Sequence, residues 1–331
     1  MSLSRKPAVR LSRDDIVAGY RLVLGRDPES EAIVNEHLVS YQDLWSFIAA
    51  LFASVEAQRR QVDQAAARFV AEHDARRVDV DTEVAPGATT VLLRHIEAAW
   101  SKLGQAEPYW SVLTDEGFRS ASLDEARIEG FYATGAEELE AFEAACVRNS
   151  LPNTRQATVL DLGCGVGRVG EHFARAYEGY IGVDISPSHL DLARQRFSAL
   201  GLTNAKVMLL ADFLAARPQF DVFFSVLALQ HSPPPVMQHL LQVCLGRLQP
   251  GGYAFFQIPC HLYDYEFRLT DYLNRSAAGA EAPAAMEMHA LPQGRVFRTL
   301  ADAGLVPVEV LPYPRIGPIG FSYLFLARKP H

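Results

Sequence analysis

The sequence predicts an α/β fold preceded by an all-α N-terminal domain, and three observations carry that prediction. An apolar run, Val159-Leu-Asp-Leu, enters a turn with three glycines in quick succession and then a helix. Three further apolar runs, Tyr180–Asp184, Lys206–Phe213 and Phe220–His231, read as buried strands, the last followed within the run by a loop. Ahead of them, residues 14–60 place apolar side chains at helical spacing.

Taken in order, Ile16, Tyr20, Val23 and Leu24 form one apolar helical face, which Gly25-Arg-Asp-Pro28 breaks. Glu29–Leu38 reads as a second helix. Leu44–Val55 reads as a third, with Leu44, Phe47, Ile48, Leu51 and Phe52 on one side. Arg59–Arg77 is charged, alanine-rich and helical in pattern, so residues 10–77 are expected to form one helical domain. Residues 78–90, with Asp79, Asp81, Glu83, Pro86 and Gly87, read as a linker. Residues 91–150 are expected to be a helical segment ahead of the sheet domain, 151–331. Its aromatics Tyr109, Trp110, Phe131 and Tyr132 are candidates to close over a ligand or to pack helices on the sheet. Leu248-Gln-Pro-Gly-Gly252 leads into a strand at Tyr253–Ile258, and an irregular insert follows at 260–288. The insert includes a low-complexity run, Ser276–Ala285. A helix at Leu291–Ala303 and strands at Val306–Tyr313 and Phe321–Ala327 complete the chain.

The turn Asp161-Leu-Gly-Cys-Gly-Val-Gly167 is the most informative stretch. Glycines let backbone N–H groups approach a ligand at the positive end of a helix. Asp161, just before the turn, suits a cationic ligand better than a pyrophosphate. In a shifted frame, Gly165-Val-Gly-Arg-Val-Gly170 also fits a dinucleotide-binding fingerprint. The D-x-G-x-G-x-G pattern resembles motif I of the class I S-adenosylmethionine-dependent methyltransferases. The blocks ending at Asp184, Asp212-Phe213 and His231, and the Leu-Gln-Pro-Gly-Gly turn, resemble later motifs of that family in the same order.

The resemblance implies a Rossmann-like, seven-stranded mixed sheet whose last two strands make an antiparallel end. It implies S-adenosylmethionine as cofactor and methyl transfer as the reaction. Asp184 would bond the ribose hydroxyls and Asp212 the adenine amino group. Gly163, Cys164, Gly165, Gly167, Arg168, Ile185, Phe213, Leu227 and Tyr132 would complete the cofactor set with Asp161. More ordinary roles stand beside these: Asp184 and Asp212 as caps, Cys164 as a small packed residue, and Arg168 as a solvated residue of the first helical turn. The competing functions are an NAD(P)-dependent oxidoreductase and a non-catalytic scaffold that retains the cofactor.

A hydroxyl acceptor needs a base. His261, His231, His289 and Asp264 are the candidates, and His261 with Tyr263 and Asp264 is the densest polar cluster. His231 is equally a loop-ordering residue. A small-molecule or glycan hydroxyl is the expected acceptor. Tyr20-Arg-Leu-Val-Leu-Gly-Arg-Asp-Pro28, with Ser54-Val-Glu56, resembles a small bacterial helical domain often fused to glycan-processing enzymes, and is also similar to phycobilisome linker domains. It is a candidate module for binding a protein partner.

The 331 residues carry a net charge of −8 and no lysine/arginine-rich run, which argues against a nucleic-acid partner. The four cysteines lack C-x-x-C spacing and read as free thiols of a reducing compartment. No apolar run approaches the ~20 residues of a membrane span. No signal core is evident either, so the cytoplasm is the expected location. Asp264 and Asp271 match no ligand signature, and no metal is expected.

Overall fold

The computed structural model describes residues 11–57, 79–152, 155–277 and 286–331. The chain divides into two compact units, Met1–Arg77 and Val78–His331.

The first unit contains three described helices, α1 (Arg13–Val23), α2 (Glu31–Ser40) and α3 (Leu44–Ala53). Each starts at a side chain that caps an orphan backbone N–H: Ser12, Ser30 and Asp43. Ser12 and Asp15 complete a reciprocal capping box. Ile16, Tyr20, Val34, Phe47 and Leu51 form the shared core. Gly19 lets α3 approach α1, since a Cβ there would lie 2.6 Å from the Phe47 ring. Leu44 and Phe52, expected on the buried side of α3, are 44% and 45% exposed. Its buried stripe is therefore narrower than the apolar pattern suggests. The helix expected over Arg59–Arg77 lies outside the described residues.

The second unit is built on a seven-stranded sheet in the order β4-β3-β2-β5-β6-β9-β8. The strands are β2 (Thr158–Leu162), β3 (Gly179–Asp184), β4 (Ala205–Leu209), β5 (Phe220–Ser225), β6 (Leu248–Leu262), β8 (Val306–Pro312) and β9 (Gly320–Arg328). A separate two-residue pair joins β1 (Asp79–Val80) to β7 (Glu266–Phe267). Strands β2 to β6 pair in parallel, and β9 is antiparallel to both β6 and β8. The last two strands thus make the expected antiparallel end, with β9 as the strand that runs against both its neighbours.

Alternation along the strands sends side chains to two faces. Val159, Phe224, Phe255 and Leu326 meet Phe142 of α6 (Ala136–Arg148), Phe173 of α7 (Gly170–Ala176) and Phe197 of α8 (Pro187–Ala199). Phe223, Phe256 and Phe325 line the other face, where Phe297 of α12 (Gln293–Asp302) meets Phe325 edge-on at 5.8 Å.

Three boundaries differ from expectation. The supposed linker 78–90 carries β1 and the start of α4 (Pro86–Ala106). Asp81 holds this stretch by accepting the Leu269 N–H at 2.9 Å. Strand β4 ends at Leu209, and Leu210–Ala216 is a helix, α9. Strand β6 runs on to Leu262, because β9 pairs with it as far as Leu262↔Gly320. The insert therefore begins later than residue 260 and holds a helix, α11 (Leu269–Ala277). Residues 278–285 of the low-complexity run lie outside the described residues. The remaining helices are α5 (Glu125–Ala133) and α10 (Pro234–Arg247).

Candidate functional site

One cavity opens at the carboxyl ends of β2, β3 and β5, where open α/β sheets bind their ligands. Its floor is the glycine turn after β2. Gly163, Gly165 and Gly167 have φ values of +82°, +54° and +85°. These lie in the left-handed region that costs an L side chain roughly 1–2 kcal/mol. A Cβ on Gly163 would lie 2.1 Å from the Ala228 Cβ, so the turn and the loop after β5 meet at backbone distance. Gly167 faces away from the cavity: its missing Cβ makes room for the Phe197 ring at 2.8 Å, so it is a helix-packing glycine.

Two buried acids flank the turn. Asp184, at the end of β3, accepts the Gly165 N–H at 2.9 Å and the Ser186 N–H at 2.8 Å, bracing the turn and the start of α8. Asp161 accepts the Tyr180 hydroxyl at 2.8 Å. Burial pushes its carboxyl up to about 7, against the pull of the Tyr180 hydrogen bond and of Arg168, with Asp184 adding repulsion. Arg168 is buried as well. It donates to Thr134 Oγ1 at 3.2 Å, and its guanidinium lies 3.6 Å from the Glu138 carboxylate, but its Nε has no hydrogen-bond partner. The ordinary reading of Arg168 as a solvated helix residue is therefore corrected. Burial also raises the Cys164 thiol, which remains a packed, protonated group.

The far wall is the loop after β5. Leu227 adopts φ +58°, a strained value for a leucine, and its N–H donates to the buried Gln257 side chain at 3.1 Å. Gln257 Nε2 in turn donates to Gln230 Oε1 at 3.1 Å. The cover is α4, through Leu93, Ile96 and Trp100, together with Ser111 and Val112.

Asp161, Gly163, Cys164, Gly165, Arg168, Asp184, Ile185, Leu227 and His231 all line this cavity. Other expected residues sit elsewhere. Tyr132 is buried in a satellite core, its hydroxyl donating to the Val166 carbonyl at 3.2 Å and its ring under Arg196. None of the aromatics Tyr109, Trp110, Phe131 and Tyr132 is among the lining residues. Asp212 is exposed on α9, and Phe213 is buried beneath Arg247. The strong helix formers Leu210 and Ala211 end the strand early, so Leu210 lines the cavity where an acid was expected.

The polar cluster expected around His261 does not form at the cavity. His261 is buried in β6 among Tyr263 and Phe321, with ring centroids at 5.6 and 6.0 Å. Asp264 is exposed in a turn at φ +53°. The structure instead gathers His231 and His289 around Glu287. His231 Nδ1 donates to the Glu287 carbonyl at 2.8 Å, and burial lowers its pKa to about 4. His289 lies behind it, 2.8 Å from the Tyr265 hydroxyl and 3.2 Å from the Glu287 carboxylate. Burial pushes the Glu287 carboxyl up, but His289 and the Tyr272 hydroxyl at 2.7 Å outweigh it and leave it below the ordinary range.

Sequence reasoning missed Trp100, Ser111, His189 and Glu287. His189 alone carried a local signal, since it follows Asp184 closely and stands in the first turn of a Pro-initiated helix. Among the described residues no cluster of three His, Cys, Asp or Glu side chains could hold a metal, and no helix is long and apolar enough to cross a membrane.

Residues 159–252 match a family described as "Methyltransferase domain". The matched stretch contains the glycine turn, both buried acids and the loop that ends at His231. Among curated proteins, the ubiquinone biosynthesis O-methyltransferase of Actinobacillus pleuropneumoniae is 34% identical over 104 residues, 30% of this chain and 44% of that protein. The enzyme of the same name from Shewanella pealeana is 34% identical over 100 residues, 30% of this chain and 42% of that protein. Among solved structures, magnesium protoporphyrin IX methyltransferase from Synechocystis PCC 6803 with bound SAH aligns over 71% of this chain and 98% of its own, at 15% identity and a TM-score of 0.49. The chain spans less than half the length of these curated relatives. The family match, residues 159–252, covers the half of the sheet that builds the cavity.

Proposed function

We propose that this chain is a methyltransferase that takes its methyl group from S-adenosylmethionine and delivers it to a hydroxyl oxygen of a small molecule. The observation that carries this reading is the cavity itself: a glycine turn between two buried carboxylates, Asp161 and Asp184, within the stretch that matches the methyltransferase domain. The residues fit the cofactor. Gly163 and Gly165 line the cavity with backbone alone, Asp184 presents carboxylate oxygens that can accept hydroxyl donors, and Asp161 lacks a full cationic partner. Arg168 Nε is a buried donor suited to a carboxylate. The relatives' names, O-methyltransferases, support oxygen as the acceptor atom.

The bound sulfonium supplies an already activated methyl group. The chain's own task is then to align the acceptor oxygen with the methyl–sulfur axis and to exclude water. Trp100 and Ile96 of α4 provide the apolar cover. His231 is the polar group of the 226–231 loop at the cavity wall, its ring 5.2 Å from Trp100. Because Nδ1 donates to a carbonyl, its lone pair is on Nε2, now 3.1 Å from the Gln230 amide. An acceptor hydroxyl that displaces that amide would donate to Nε2 and be oriented by it. The low pKa keeps His231 neutral, which favours orientation over strong basicity.

We also propose the first unit as a partner-binding module, supported by its exposed apolar side chains Leu22, Val39 and Val55.

Calorimetric binding of S-adenosylmethionine, S-adenosylhomocysteine and NAD(P) tests the cofactor reading. Binding of the first two without NAD(P) is the expected result, and binding of NAD(P) alone overturns it. Methylation of a panel of phenolic and sugar hydroxyls by the purified chain tests the acceptor class.

A further inference from the structure

His189 is 1% exposed, stands in the first turn of α8 and lines the cavity beside Asp184. Its two ring nitrogens face different surroundings. Nε2 lies 2.9 Å from Ser111 Oγ, and Ser111 Oγ donates its own proton to the Pro108 carbonyl at 3.2 Å. A hydroxyl has a single proton to give. Ser111 Oγ therefore accepts from His189, so in the neutral tautomer the ring hydrogen is on Nε2. Nδ1 is left as a bare lone pair. It has no hydrogen-bond partner and sits 3.7 Å from Asp184 Oδ1.

The Nε2 edge is closed by packing. A Cβ on Gly104 of α4 would come within 3.1 Å of Nε2 and 2.5 Å of Ser186 Oγ. The Nδ1 edge faces the carboxylate, so two acceptors stand side by side with no donor between them. Asp184 already accepts the Gly165 and Ser186 N–H groups and has lone pairs to spare, but a buried acceptor left bare, as Nδ1 is, is costly and rare. A ligand with two adjacent O–H donors satisfies both.

We propose that His189 Nδ1 and the Asp184 carboxylate form a two-acceptor seat for the vicinal hydroxyls of the ligand's ribose, which makes His189 a specificity-determining residue for ribose over deoxyribose. The proposal rests on reading the cavity as the S-adenosylmethionine site. Ser111 has a positioning role in it, because it fixes the tautomer through Nε2. A site built to hydrogen-bond a hydroxyl rejects the analogue that lacks it, since the acceptor stays unpaired.

The test is calorimetry on the full chain with S-adenosylhomocysteine, adenosine, 2′-deoxyadenosine and 3′-deoxyadenosine, for the wild type and His189→Phe. The wild type should bind adenosine more tightly than each deoxy analogue. His189→Phe should lose roughly 3- to 10-fold in affinity for S-adenosylhomocysteine and should lose its discrimination against one of the two analogues. Should the variant fail to fold, wild-type protein labelled with 15N-histidine gives the answer. The His189 Nδ1 resonance should move on binding S-adenosylhomocysteine, while Nε2 stays in place. S-adenosylhomocysteine binding with an unmoved Nδ1 resonance, or with discrimination unchanged in a folded His189→Phe, overturns this proposal alone. No S-adenosylhomocysteine binding by the wild type overturns it together with the cofactor reading.

Discussion

Replacing Asp184 by alanine separates its bracing role from its ligand role. The carboxylate accepts two buried backbone N–H groups, Gly165 at 2.9 Å and Ser186 at 2.8 Å. Hydrogen bonds to a charged group contribute about 1.5–3 kcal/mol each, so the pair has an upper bound near ~6 kcal/mol. Two effects reduce the loss. The cavity admits water to the freed N–H groups, and repulsion between Asp184 and Asp161 disappears. The expected cost is about 2–4 kcal/mol of local stability, and Asp184→Asn, which keeps one acceptor oxygen, should cost about half of that. Hydrogen exchange is the appropriate assay, because a chain of two units does not unfold as one. Amides of residues 163–168 and 186–190 should lose protection in Asp184→Ala, while those of β5 and β6 keep theirs. Removing a neighbouring negative charge should also bring the Asp161 carboxyl below about 7, read by carboxyl NMR. Unchanged protection in the turn refutes the brace. A retained affinity for S-adenosylhomocysteine refutes the assignment of Asp184 to the ribose.

Asp161 makes binding pH-dependent. Its folded value near 7 exceeds the ordinary 3.8, so the folded chain holds this proton where the unfolded chain has released it. Its contribution to stability therefore declines as pH rises from about 4 through 7. Affinity for the sulfonium cofactor should instead rise, up to tenfold per pH unit below 7, and level off above it. A flat calorimetric profile between pH 5 and 8 contradicts this. Gly167→Ala should destabilise the second unit by roughly 2–4 kcal/mol, combining left-handed strain with the clash on Phe197. Gly201→Ala, at φ +66° with open space around the new Cβ, should cost only the strain of roughly 1–2 kcal/mol. Equal melting shifts would show that packing at Gly167 is unimportant. Removing residues 1–77 should leave S-adenosylhomocysteine affinity within about twofold, since every lining residue belongs to the second unit. Loss of binding on truncation would make the helical unit part of the site's support.

What could be read from the amino-acid order is what depends on near neighbours. The turn from Asp161 to Gly167 announces itself because strand, glycines and helix are contiguous, and the acid at Asp184 follows at the end of the next apolar run. Caps such as Ser12 and Asp43 mark helix starts for the same reason. Local periodicity also placed β3, β8, β9 and the start of β5 within a residue or two. It misjudged β4, because an apolar run from Lys206 to Phe213 serves a strand followed by a helix as well as one longer strand.

The identity of the cavity's other walls was decided by tertiary structure. Trp100 reaches Asp184's neighbourhood from α4, His189 is fixed by Ser111 across 78 residues, and Glu287 joins His231 across 56. No spacing rule links such positions, since the side chains meet only when helices close over the sheet. The same closure chose among the histidines. Pairing with β9 extended β6 and buried His261 inside it, whereas packing of the 286–291 segment against Gln230 brought His289 behind His231. A residue's chemistry is set by its type, but its access to the ligand is set by which distant surfaces exclude water around it.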